Sequence, residues 1–108
     1  MRTGLVFTTT RLVGVSFGDA QKNIRLFGNE DIGSFELLRE RDNLYDPNAV
    51  KVVFCDHYLG YMPRSLARRL APAMDAGRGY EAFFVRQNRC PHHDLIGLTI
   101  RIVGSLEG

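Results

Sequence analysis

The chain has 108 residues, with 14 basic and 12 acidic side chains and a formal net charge of +2, so it is not a blanket polycation. A hydrophobic share of 44% supports one core of ordinary domain size, and 24% charged residues is usual for a soluble protein. No apolar run approaches the roughly 20 residues that span a bilayer, no secretory leader is visible, and two cysteines are too few for a disulfide framework.

These bounds predict one cytoplasmic domain over residues 1–108 with no membrane association. Residues 5 to 16 read as a strand, because β-branched and apolar residues dominate. Gly18-Asp19 breaks it, and Asp19 is placed to cap a short helix through about Phe27, closed by Gly28. Strands follow at 34 to 40 and 49 to 54. Asp56-His57 is a tight connection into a strand over 58 to 62. Cys55, in an apolar strand, is expected to be a buried small hydrophobe. Arg64 to Gly77 reads as helical. Leu66, Leu70 and Met74 recur every four residues as its core-facing stripe, and Pro72 predicts a kink or two short helices. The last strands are 80 to 87 and 95 to 103, joined by a polar loop over 88 to 94. Six short strands with one or two short helices predict a mostly β fold, a small closed or partly open barrel.

The segment from Leu38 to Val50, Leu-Arg-Glu-Arg-Asp-Asn-Leu-Tyr-Asp-Pro-Asn-Ala-Val, carries the most information. A strand feeds a turn that packs an aromatic, an amide and two carboxylates into Asp42 to Asp46. Asp, Asn and Pro are common turn formers, which accounts for most of this cluster. Tyr45 is left over. A large ring in such a turn either tucks under its loop or presents a face to a ligand.

Enzyme signatures are missing. There is no glycine-rich phosphate loop, no His-Glu-x-x-His and no Gly-x-Ser-x-Gly, and Asp42 with Asp46 are better placed to cap backbone donors than to catalyse. Cys55 with His57, and Cys90 with His92 and His93, lack the usual spacing of zinc pairs. No catalytic residue, metal or cofactor is expected. Single-stranded nucleic acid fits the remaining inventory. Aromatics stack on bases, cations neutralise phosphates, and a carboxylate accepts from a terminal hydroxyl. The chain offers Phe17, Tyr45 and Tyr61 as aromatics, Arg64 and Arg68 as cations, and Asn43 and Asp46 as polar readers. A peptide- or protein-binding adaptor using the same groove is the competing function, and salt dependence separates the two.

The segment resembles the signature of HIRAN domains: a hydrophobic strand, Arg-Glu, then Asn-x-Tyr-Asp-x-Asn-Ala-Val. Leu12-Val-Gly-Val-Ser-Phe17 is similar to the family's opening strand and first ligand-facing stretch. Leu59-Gly-Tyr-Met-Pro-Arg-Ser-Leu-Ala67 is similar to its glycine-aromatic segment leading into a helix. The resemblance implies an OB-like or SH3-like barrel that captures the 3′ end of single-stranded DNA, as part of or beside a larger DNA-processing protein in DNA repair. By that resemblance Phe17 and Tyr45 stack on bases and Asp46 meets the terminal 3′-hydroxyl. Asn43 lies beside the terminal nucleotide, Tyr61 takes a position that can be His, and Arg64 is near the phosphates. Ser16, Gly18, Asp42 and Tyr61 depart from residues the family can carry there. Each departure removes a cation, an aromatic or an amide, which weakens DNA affinity.

Overall fold

The computed structural model of the chain describes residues 5–105, so both ends of the expected 1–108 domain lie outside the described residues. In chain order the elements are β1 (Leu5–Arg11), α1 (Ala20–Phe27), β2 (Glu36–Arg39), β3 (Val50–Phe54), β4 (His57–Tyr61), α2 (Arg64–Asp75), β5 (Tyr80–Arg89) and β6 (Ile96–Ser105). The fold is mostly β, as expected. Its strands form two three-stranded antiparallel sheets, β1-β6-β5 and β2-β3-β4. Isolated bridges Val13–Tyr61 and Phe35–Ala82 join the sheets at their two seams. Each seam is one bridge wide, so the six strands follow a ring but the barrel is not closed.

The core follows from strand alternation. Ile96, Leu98, Ile100 and Ile102 lie two residues apart on β6 and are all buried, as period-2 patterning requires. Val50, Val52 and Leu59 meet them from the other sheet. On α2 the buried residues are Ala67, Leu70 and Ala71, while Leu66 and Met74 are only half-buried flanks. The expected stripe was thus turned by one position, onto Ala67, Leu70 and Ala71. The helix runs unbroken through Pro72 and is not divided into two short helices. Pro72 sits in the last turn and is exposed, where solvent can serve the carbonyl left without a donor.

Helix α1 is held by polar side chains. Asn23, buried, donates through Nδ2 to the Tyr58 carbonyl at 2.9 Å. Gln21 accepts from the Ile96 amide and donates back to its carbonyl. Gln87 donates to the carbonyls of Ile24 and Gly28, satisfying the C-terminal end of the helix. The expected Asp19 cap makes no side-chain hydrogen bond to the helix.

Some placements differ from expectation. The first strand ends at Arg11, and Gly14 and Gly18 then adopt φ of 68° and 52°, which turns the chain away. A Cβ on Gly14 would stand 2.8 Å from the Tyr58 hydroxyl. The last hairpin is longer than predicted, because Asn88 stays in the ladder and accepts at 2.6 Å from the Thr99 hydroxyl. Cys55 is exposed, not buried. It and Asp56 form the two-residue turn between β3 and β4, with φ of 47° and 67°, the hairpin geometry that matches strand twist. The turn demanded that position outside.

Candidate nucleic-acid interface

A groove of about 640 Å³ opens where four segments meet. Val13, Gly14 and Phe17 come from the loop after β1. Asn43, Tyr45, Asp46 and Ala49 come from the β2–β3 loop. Tyr61 ends β4, Met62 follows it, and Arg64 opens α2. Six of the seven residues expected from the sequence therefore line one groove. The seventh, Arg68, lies one turn along α2 from Arg64, exposed and outside the lining. Ser16 and Asp42 are exposed and also outside it.

Two aromatics face this groove with most of their surface uncovered: Phe17 is 66% exposed and Tyr45 87%. Tyr45 does not tuck under its loop. The loop is built so that it cannot. Asn43 Oδ1 accepts from the amides of Tyr45 at 2.8 Å and Asp46 at 3.0 Å, an Asx turn. Asp46 Oδ1 accepts from the Asn48 amide at 2.9 Å, a second one. Arg39 closes the return by donating to the carbonyls of Ala49 and Pro47 while pairing with Asp75 at 2.9 Å. Arg41 also pairs with Asp75, and both guanidiniums, Arg39 first, hold that carboxyl below its ordinary range. The backbone is satisfied by its own polar side chains, so Leu44 and Tyr45 are left at the tip.

Arg64 stands across from this loop. Its Nη2 donates to the Tyr45 carbonyl at 3.1 Å, and its Nε lies 3.6 Å from Asp46 Oδ2, longer than a hydrogen bond. Asp46 thus spends one oxygen on its own turn and turns the other toward a cation at the groove. The N-terminal end of α2 adds its partial positive charge on the same side.

Beneath the groove, Glu40 is a hub that the sequence reading passed over. Its Oε1 accepts from the Tyr61 hydroxyl at 2.6 Å and from Asn43 Nδ2 at 3.0 Å, and its Oε2 pairs with Lys51 at 3.3 Å. Burial pushes its pKa up, but the hydrogen bonds from Tyr61, Asn43 and Lys51 outweigh burial and leave it below the ordinary 4.5. Tyr61 is raised in turn, first by burial and then by its bond to Glu40. Tyr58 is pushed up to about 12 by burial and then by the Glu40 charge, and its hydroxyl donates to the Gly14 carbonyl at 2.6 Å. Tyr61 and Tyr58, 5.6 Å apart between ring centroids, thereby tie the Phe17 loop and the Tyr45 loop to one buttress. A clue lay in the sequence: Glu40 follows β2 directly and Lys51 is the second residue of β3, and the hairpin brings their opposite charges together.

The thiol and imidazole residues lie elsewhere. His57 stacks on Phe27 at 4.8 Å, and Cys90 and His93 line a small cavity beside Arg25 and Arg89. Among the described residues no three His, Cys, Asp or Glu side chains gather to hold an ion, and no helix is long and apolar enough to cross a membrane.

The family model of the HIRAN domain matches residues 7–105 of this chain. A Fanconi-associated nuclease 1 homolog of Oryza sativa subsp. japonica is 40% identical over 74 residues, or 65% of this chain. The chain spans only 7% of that relative's length. A solved protein from Lactobacillus plantarum is similar with a TM-score of 0.67 at 24% identity, covering 95% of this chain and 99% of that one. The HIRAN domain of human HLTF is similar with a TM-score of 0.59 at 23% identity, covering 96% and 83%. These two likenesses are of fold.

Proposed function

Because the chain belongs to the HIRAN domain family, a family of DNA-binding modules, we propose that its groove captures single-stranded DNA at a free 3′-hydroxyl end. The observation that carries this reading is the pair Phe17 and Tyr45, both largely uncovered and lining one groove with a cation and a carboxylate. Large rings left in water at such a site gain by stacking on bases, roughly 1–3 kcal/mol each. Arg64 meets a phosphate, and Arg68 extends the cationic side for the next one. Tyr61 walls the groove, and Asn43 holds the loop at the terminal nucleotide.

Asp46 reads the end. Its Oδ2 accepts from a 3′-hydroxyl, which an internal nucleotide does not offer, and meets a 3′-phosphate as a like charge. A hydrogen bond to a charged group contributes about 1.5–3 kcal/mol, so a free 3′ end binds about tenfold or more tighter than a phosphorylated one. Asp46→Ala lowers affinity for the free end and erases that preference. Fluorescence anisotropy with the two oligonucleotides measures it. Equal binding of both by folded wild-type protein rejects end capture. The bond from Asp46 to Asn48 gives the residue a second, structural duty, so a thermal melt of Asp46→Ala accompanies the measurement.

The module supplies recognition, and chemistry comes from a larger DNA-processing protein that carries or binds it. The similarity to a nuclease homolog supports that arrangement. A peptide ligand in the same groove is distinguished by salt, since DNA affinity falls steeply as salt rises.

A further inference from the structure

We propose that the solvent face of sheet β1-β6-β5 is a second, cationic DNA contact, over which the strand held in the groove lays the phosphates of its following nucleotides. The proposal rests on the groove reading above. Strand register defines the face. Paired residues of an antiparallel sheet point to the same side. Arg11 pairs with Thr99 and Thr99 with Arg86, and in the adjoining row Thr9 pairs with Arg101 and Arg101 with Phe83. Leu98, Ile100 and Ile102 fill the opposite, core side, so these rows lie on the outer side, where Thr99 is itself buried and donates to Asn88 while the arginines beside it stay exposed. Arg11, Arg86 and Arg101 are all exposed. Arg11 and Arg86 flank β6 about 10 Å apart, and the Arg101 row lies about 7 Å further along.

The register shift between Phe84 and Arg86 is what completes the group. Phe84 pairs with Ile100 on the core side. Simple alternation would set Val85 opposite Thr99 and turn Arg86 inward with Leu98. The extra residue in β5 lets Arg86 face out instead, as bulges commonly re-aim side chains. Gly97 contributes too: Nη2 of Arg11 lies 3.2 Å from where a Cβ there would stand, so the guanidinium reaches over a bare glycine.

This charge is not neutralised. The ion pairs among the described residues engage Arg39, Arg41, Lys51 and Arg64, and none engages Arg11, Arg86 or Arg101. The acidic residue of this face, Glu81, lies opposite Val103, one row past Arg101. Three like charges on one sheet face repel each other, and a polyanion relieves that. The face is also continuous with the groove. Arg11 is followed by Leu12 and then Val13, a groove wall, and two extended residues span about 7 Å.

The test compares an oligothymidylate of about a dozen nucleotides with the trinucleotide, both with free 3′ ends. The probe proteins are wild type, Tyr45→Ala and the triple variant Arg11→Gln/Arg86→Gln/Arg101→Gln. We expect the triple variant to bind the long strand at least about tenfold more weakly at low salt, and its slope of log affinity against log salt to shallow by about two units. Its trinucleotide affinity stays at the wild-type level, whereas Tyr45→Ala loses both. If Arg11→Gln disturbs the sheet, seen in a thermal melt, the double variant Arg86→Gln/Arg101→Gln takes its place with a smaller change of the same kind. A folded variant with wild-type affinity and slope on the long strand overturns the proposal and leaves the groove intact. Failure of the groove reading is different: Tyr45→Ala then binds both probes as wild type does. Wild-type protein that binds neither probe overturns both readings.

Discussion

Strand β6 and the loop from Asp42 to Asn48 are built on opposite plans. On β6 the apolar side chains at alternate positions are buried, and the exposed Arg101 lies between two of them on the other side. In the loop Asn43 and Asp46 turn inward and the apolar side chains beside them turn outward. Asn43 and Asp46 bond the loop's own amides, while Leu44 is 94% exposed and Tyr45 87%. Burial positions the strand. Local hydrogen bonding positions the loop, and it leaves the hydrophobic groups free for something other than the core. An inside-out loop on a conventional sheet separates what holds the molecule together from what it recognises.

The sharpest break in this comparison comes from paired truncations. Leu70→Ala, on the core face of α2, should cost about 2–5 kcal/mol of stability through the cavity it leaves. A urea titration measures it, and a change under half a kcal/mol would remove the helix from the core. Tyr45→Ala should do the reverse. Its stability should stay within about 0.5 kcal/mol of wild type, as for other exposed positions, while single-stranded DNA affinity falls by about 1–3 kcal/mol. A melt shifted as far as that of Leu70→Ala would mean the ring anchors its loop after all.

The smallest effect tests the buttress between the two regions. Glu40 has a folded-state pKa below its ordinary value, so its ionised form contributes stability above about pH 4.5 that is lost as pH falls through the folded value. Acidification should therefore loosen the Tyr61 and Asn43 contacts before the core yields. Glu40→Gln keeps the hydrogen-bond geometry and removes the titration, so its stability should depend less on pH below that point. Parallel acid profiles for the two proteins would assign the pH response to another carboxylate.

The contrast also explains what the sequence disclosed. Leu98, Ile100 and Ile102 were legible because period-2 patterning is local. The groove residues were legible because the Asn-x-Tyr-Asp cluster packs unusual chemistry into a few positions, and all but Arg68 converge there. Arg68 missed because it lies one turn, about 6 Å, further along α2 than Arg64. Cys55 was misplaced because composition says small hydrophobe, whereas a two-residue hairpin turn dictates exposure regardless of residue type. Glu40 and Arg39 were overlooked because their partners, Tyr61, Lys51 and Asp75, are brought to them only by tertiary pairing. The division into two sheets rests on β1 pairing with β6, at opposite ends of the chain, which no local pattern announces.

The Val13–Tyr61 bridge has a kinetic meaning. It is a seam one bridge wide, made of two reciprocal amide–carbonyl bonds of 2.9 and 2.8 Å, and both residues line the groove. A pair without neighbouring rungs opens by itself, at a free energy below that of the whole fold. Its two amides should exchange with deuterium sooner than those in the middle of β6, and an occupied groove should slow them selectively. This joint is then also a sensor, where ligand affinity reads out as the protection of two hydrogens.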